Sequence, residues 1–285
     1  MEKVVYVMTI QLSLHGRRFR EKRPEINHIT LVVLTLLLVS MSGGCGKPKP
    51  ETPQGVDVGD AGAAAAKVAE ADKLYDGREN LDKVRQAVAL LRQARIEDYG
   101  SFEAAWKLAR AAYYLGDHTA DEHEREISFR EGSEAGKAAV RLQDSKPEGH
   151  FWLGANYGGA AKYSTLAGLS SVEDIRNEME TVLKIDEGFQ SGSAYMVLGQ
   201  LYLQAPRVLG GDVDKAIDYL QKGLKFGQEN ALLRLRLAEA YHAAKKNGES
   251  KKQIDYILSM KVDPAYAAEY KEAQEQAQKL AGELK

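Results

Sequence analysis

Cys45 is the single cysteine of a 285-residue chain, and a lone thiol has few chemistries open to it. It has no partner for an internal disulfide and no second cysteine with which to share a metal. A catalytic thiol needs a folded surround, and periodic sequence begins only at Ala63. Its flanks have to say whether it has a role or is incidental. Other stretches with chemical potential read as scaffold. His118 and His123 stand among Asp117, Asp121, Glu122 and Glu124, but a spacing of five does not place two ligands on one helix face, so a solvated charged insert is expected and no metal. The "HERE" at His123 lacks the second histidine of a zinc-protease helix. Asn156 to Thr165, "NYGGAAKYST", lacks the Gly-Lys-Ser/Thr order of a phosphate loop and follows no strand. There Gly158 and Gly159 either end a helix or admit a close neighbour. No nucleophile, base and orienting residue occur as a set, so no catalytic residue, no cofactor and no enzymatic activity are expected.

The flanks of Cys45 specify its chemistry. Gly16 to His28 is basic, and Ile29 to Met41 is an apolar run of 13 residues. That is short of the roughly 20 residues a membrane-spanning helix needs and suits the apolar core of a secretory signal. Ser42, Gly43 and Gly44 then lead into the cysteine. The pattern resembles a bacterial lipoprotein signal, which implies a signal peptide over 1–44 and an acylated Cys45 at the mature N-terminus. An uncleaved signal anchor is the alternative. Two or three acyl chains hold firmly to a membrane where one holds marginally. The implied location is the periplasmic face of the cell envelope, with Gly46 after the cysteine favouring the outer membrane.

Residues 1–44 hold six of the 39 basic and three of the 41 acidic side chains, so the remainder carries 33 against 38 and is net −5. With neither a basic excess nor a basic stripe, nucleic acid is excluded as a partner. Three of the seven prolines, Pro48, Pro50 and Pro53, fall in the aperiodic stretch 45–62, which reads as a tether. At about 3 Å per residue it extends up to ~50 Å from the membrane.

From Ala63 the chain reads as helix after helix, and it repeats. "FWLGANYGG", "YMVLGQLYLQ" and "RLRLAEAYHA" each set a leucine, a small residue and, three further on, a tyrosine: Leu153/Gly154/Tyr157, Leu198/Gly199/Tyr202 and Leu237/Ala238/Tyr241. A fainter copy surrounds Leu108. The small residue admits a partner helix and the tyrosine fills the gap between units. Each is followed by a second amphipathic segment, which is the tetratricopeptide pattern. The expected fold is all-α: a tetratricopeptide-like helical-repeat solenoid of about five helix pairs over 63–285, capped by a helix from Ala265 with Tyr266, Tyr270, Ala273, Ala277 and Leu280 on one stripe. The leucines recur at intervals of 45, 45 and 39 residues against the usual 34. The excess is expected as insertions between the helices of a pair, at 117–124, 163–171 and 205–212. Asp212 reads as a helix N-cap, and Ser171 with Asp174 as another helix start.

Counting from each leucine places Trp106, Arg110, Tyr113, Phe151, Met196, Gln200, Leu203, Leu235 and His242 on the concave wall. This wall is apolar with Arg110 as its cation, which suits an acid with an apolar tail held bidentately by the guanidinium. The alternative is that these side chains pack against neighbouring helices or the cap. Repeated insertion on one edge makes Leu166, Leu169, Pro206, Arg207 and Leu209 the candidate partner rim.

The signal-like start, "YYLGD" (113–117), "HFWLGANYG" (150–158) and "LGQLYLQAPRVLGGDVDKAIDYLQKGL" (198–224) together resemble the T component of TRAP transporters, tetratricopeptide-type periplasmic lipoproteins. The resemblance spans about 63–261. It implies a lipid-anchored adaptor beside a periplasmic substrate-binding subunit, uptake of small apolar organic acids, and a homo-trimer. The alternative is a protein-interaction scaffold in cell-envelope assembly.

Overall fold

The computed structural model describes residues 60–163 and 165–284. The signal-like segment, Cys45 and nearly all of the tether lie outside the described residues, as do the side chains of 165–170 and of Ala265. Every element described is helical.

The first pair is α1 (Ala61–Asp76) with α2 (Leu81–Glu97), the second α3 (Phe102–His118) with α4 (Glu122–Leu142), and the third α5 (Pro147–Tyr163) with α6 (Thr165–Ile185). Then come α7 (Phe189–Gln204) with α8 (Val213–Gly223), α9 (Ala231–Ala243) with α10 (Asn247–Ser259), and a single α11 (Ala267–Glu283). Capping chemistry sets many of the starts. Asp60, Asn80, Ser101, Asp121, Asp212 and Asn230 each accept a backbone N–H from the first turn that follows, satisfying donors the helix itself leaves unpaired. The small residues after the signature leucines sit where helices touch: a Cβ on Gly154 would lie 2.4 Å from Met179 of α6, and one on Gly199 2.4 Å from Leu220 of α8. Gly159 likewise abuts the Phe129 ring inside a continuous α5, so it admits a neighbour and ends nothing.

The extra residues of the second and third units are mostly helical. Asp117 and His118 finish α3, Tyr163 finishes α5, and both α4 and α6 run to 21 residues. Ser171 and Asp174 therefore lie within α6 and start no helix. Serine, threonine, histidine and glycine there are weak helix formers, but no proline interrupts them and the flanking helices propagate through them at little cost per residue. Of the 117–124 stretch only 119–121 stays non-helical, whereas 205–212 is irregular apart from one 3₁₀ turn at Arg207–Leu209.

The first helices of successive pairs contact one another in order, α1 on α3, α3 on α5, α5 on α7 and α7 on α9, and α11 extends the row by packing on α9. Ala273, Ala277 and Leu280 of α11 are buried with Leu235, Ala238, Ile254 and Ile257. This row forms the concave wall. It curls far enough that the first turn of α11 meets the α1–α2 turn, where Pro264, Ala267 and Ala268 face Gly77–Lys83 across a crevice.

Candidate functional site

The concave wall encloses a chamber of about 1480 Å³. All six helices of the inner row contribute to it, with Val172 and Ile175 of α6 behind them. Arg110, Tyr113, Phe151, Met196 and Gln200 face it, as does Tyr114 beside Tyr113; so do Tyr75, Trp152, Leu201 and Tyr270, which leucine counting did not select. The adjacent aromatic pair Phe151–Trp152 was the signal available for one of these.

The other four predicted wall residues belong to the scaffold. Leu235 is 0 % exposed, because α11 lies over the face of α9 that would have been concave. Leu203 packs in the cluster of Tyr202, Ala216 and Leu220. Trp106 packs on Phe102, Ala138 and Ala139 beneath the cations of Lys107 and Arg110. His242 lies at the end of α9, its Nδ1 3.4 Å from Asn247 Oδ1. On the expected rim, Pro206 and Arg207 are exposed and Leu209 half-buried, while Val208 between them is 91 % exposed. The side chains of Leu166 and Leu169 lie outside the described residues.

Arg110 does not offer an open fork to a ligand. Its Nη2 donates to Asp72 Oδ1 at 3.0 Å, and its guanidinium lies over the rings of Tyr75 at 4.1 Å and Trp106 at 5.1 Å. Lys107 holds the other Asp72 oxygen at 2.6 Å. An arginine that is planar, stacked and already paired with a carboxylate is a structural tie. The chamber's other cations include Arg236, paired with Glu239, and Lys162, paired with Asp117.

Arg78, at the α1–α2 turn, grips Glu269 of α11 as a fork: Nε donates to Oε1 at 3.0 Å, and Nη2 to Oε1 at 2.8 Å and to Oε2 at 2.7 Å. The two residues are 191 positions apart, and both line the chamber. The Arg78 side chain is 12 % exposed and lies 5.5 Å from the Tyr75 ring.

Burial pushes the phenols of Tyr75 and Tyr114 up to about 12, a rise that Arg78 opposes at both. Burial raises Tyr113 further, with Asp117 and Glu272 adding to it. These phenols stay neutral at physiological pH and give the wall hydroxyls without charge. Trp152, 9 % exposed, has a buried Nε1–H without an acceptor, and Arg110 Nε is similarly unmet. The chamber thus combines an aromatic and aliphatic floor with charged side chains of both signs, Asp117, Glu269 and Glu272 among the acids and Arg78, Arg110 and Arg236 among the bases, so a ligand there meets apolar surface and paired charge together. Among the described residues no group of three or more His, Cys, Asp or Glu is placed to hold a metal ion, and no helix is long and apolar enough to cross a membrane.

Comparison with known proteins places the fold. The family described as regulator of microtubule dynamics protein 1-3 matches residues 67–205, just under half of the chain. A thermophilic tetratricopeptide protein of Thermus thermophilus is similar at 20 % identity, covering 74 % of this chain and 98 % of its own, with a TM-score of 0.56. PilF of Pseudomonas aeruginosa is similar at 16 % identity, covering 78 % and 92 %, with a TM-score of 0.50. No curated protein matches. The architecture is therefore a tetratricopeptide-like helical repeat.

Proposed function

We propose that this chain is a non-catalytic binding protein that holds a carboxylate-bearing apolar molecule in the central chamber, tethered to the periplasmic face of the cell envelope through Cys45. The observation that carries the reading is the chamber, about 1480 Å³, a size above the roughly 300–1,000 Å³ of ordinary small-molecule sites. The resemblance to the TRAP T component supplies the biological setting: handing organic acids between a substrate-binding subunit and a permease.

The test is extraction of the purified protein with organic solvent followed by negative-ion mass spectrometry. Met196→Glu puts a charge on the half-buried wall; because Met196 also packs against the Tyr202–Leu220 cluster, a melting curve establishes that the variant is folded. An apolar acid enriched with the native protein and absent from the variant is the expected result. Equal extracts from both refute the reading.

A second reading, a scaffold for envelope assembly, draws on the α7–α8 turn, where Val208 is 91 % exposed between exposed Pro206 and Arg207. Photo-crosslinking from position 208 in cells separates the two. Capture of a substrate-binding subunit supports transport, and capture of an assembly protein supports the scaffold.

A further inference from the structure

We infer that Arg78 is the chamber's receptor for a ligand carboxylate, and that Glu269 occupies it in the unliganded protein as a built-in stand-in. The inference rests on the binding function proposed above and names the residue that reads the acid.

The geometry of the pair is that of ligand recognition. A guanidinium presents a rigid fork, and Glu269 fills it through both carboxylate oxygens at 2.7–3.0 Å. The fork is largely desolvated and faces the chamber beside the Tyr75 ring. A carboxylate arriving from the chamber could make the same bonds, so the exchange swaps one anion for another with no change in the charge at Arg78.

Arg110 and Arg236 are paired differently. Asp72, which pairs with Arg110, lies within α1 and is bound by Lys107 as well. Glu239 lies three residues from Arg236 on the same helix. Glu269 is different. It stands in the first turn of α11, after the 3₁₀ turn Pro264–Tyr266 and without a side-chain N-cap. The helix is anchored further along, by Ala273, Ala277 and Leu280. Glu269, 31 % exposed, can therefore turn its side chain out to water, where its charge is solvated, while Tyr270 beside it and the rest of α11 stay packed.

The experiment uses cis-parinaric acid, whose fluorescence rises in apolar surroundings, and its neutral methyl ester, titrated into the full chain. Comparing variants cancels any binding elsewhere on the protein. Removing the internal competitor in Glu269→Gln is expected to tighten the acid by about tenfold and leave the ester unchanged, the scale of one charge-assisted fork. Arg78→Gln is expected to erase the preference for acid over ester. Glu269→Asp, which keeps the charge on a shorter arm, should fall between, and melting curves of each variant establish that it is folded.

If acid and ester tighten equally in Glu269→Gln, the pair is only a steric latch and the inference falls. If the folded variants all bind the acid as the native protein does, the inference also falls while the chamber remains a binding site. If neither probe enters the native protein, the inference fails together with the reading it rests on.

Discussion

His150 donates from Nδ1 to Glu178 Oε2 at 2.7 Å and from Nε2 to the Asp144 carbonyl at 2.9 Å, tying the start of α5 to α6 and to the preceding turn. Both ring nitrogens face acceptors, and only the imidazolium satisfies both at once. The Glu178 hydrogen bond raises the His150 pKa against the opposing effect of burial, with Asp144 adding to the rise. A raised folded pKa means the stabilisation is complete below the unfolded value of about 6.5 and is lost as pH climbs through the folded value. Melting temperature should therefore fall from mildly acidic to mildly alkaline pH, and His150→Gln should flatten that slope. An unchanged slope in the variant would show that other groups set it.

Asn156 is wholly buried between helices, donating from Nδ2 to the carbonyls of Ala109 and Trp152. Gly132 of α4 lies against it, and a Cβ there would fall 2.0 Å from Asn156 Oδ1. Gly132→Ala alone should cost about 1–3 kcal/mol by overpacking, and Asn156→Ala about 1–3 kcal/mol by removing the bond that ties α5 to the Ala109 carbonyl of α3 and leaving a void in its place. Truncating Asn156 removes the atoms that the new methyl would strike. The double variant should therefore be more stable in denaturant unfolding than the sum of the single losses. Strict additivity would count against the contact.

Arg110→Ala removes a stacked guanidinium from the α1–α3 contact. A loss of about 1–2 kcal/mol is expected from the charge-assisted bond and the ring contacts together. Arg110→Lys keeps the charge but not the plane, so it should recover only part of this. Because Arg110 is committed to Asp72, neither change should alter the preference for a parinarate acid over its ester. A lost preference would return the acid-reading role to Arg110.

Leu235 and Met196 were expected on the same wall, and the structure separates them. Leu235→Ala should cost about 2–5 kcal/mol, the range for a large-to-small change in a closed core, and should affect binding only through stability. Met196→Ala sits at the half-buried chamber surface and should weaken binding of an apolar probe while moving the melting temperature little. Calorimetry and titration on both variants check the separation.

The repeat was legible because leucine, small residue and tyrosine recur at fixed helical offsets, and their work is local. Gly199 meets Leu220 within its own pair, and Tyr241 accepts from Gln221 of the helix before it. The insertions were misread because a long helix and a short helix plus a polar loop share a composition. α3 and α4 close in on the first insert from either side, leaving 119–121 between them, and α6 takes up 165–171 of the second. Leucine counting reached Arg110, Tyr113, Phe151, Met196 and Gln200, which do face the chamber. It failed at Leu235 because no periodicity states which neighbour a terminal helix will cover. The Arg78–Glu269 pair was out of reach for the same reason: two charged residues 191 positions apart carry no mutual signal until the curvature of the whole array brings them together.

A solenoid ordinarily answers to its nearest neighbours, so a change at one end decays along the stack. Here a direct bond joins the opening turn to the closing helix, and that boundary condition is absent. Damage to the first pair is felt at once by the last, and deleting either terminus strips the other of a contact. Unfolding should accordingly fray less from the ends than in an open array, and probes placed in the first pair and in α11 should report coincident transitions.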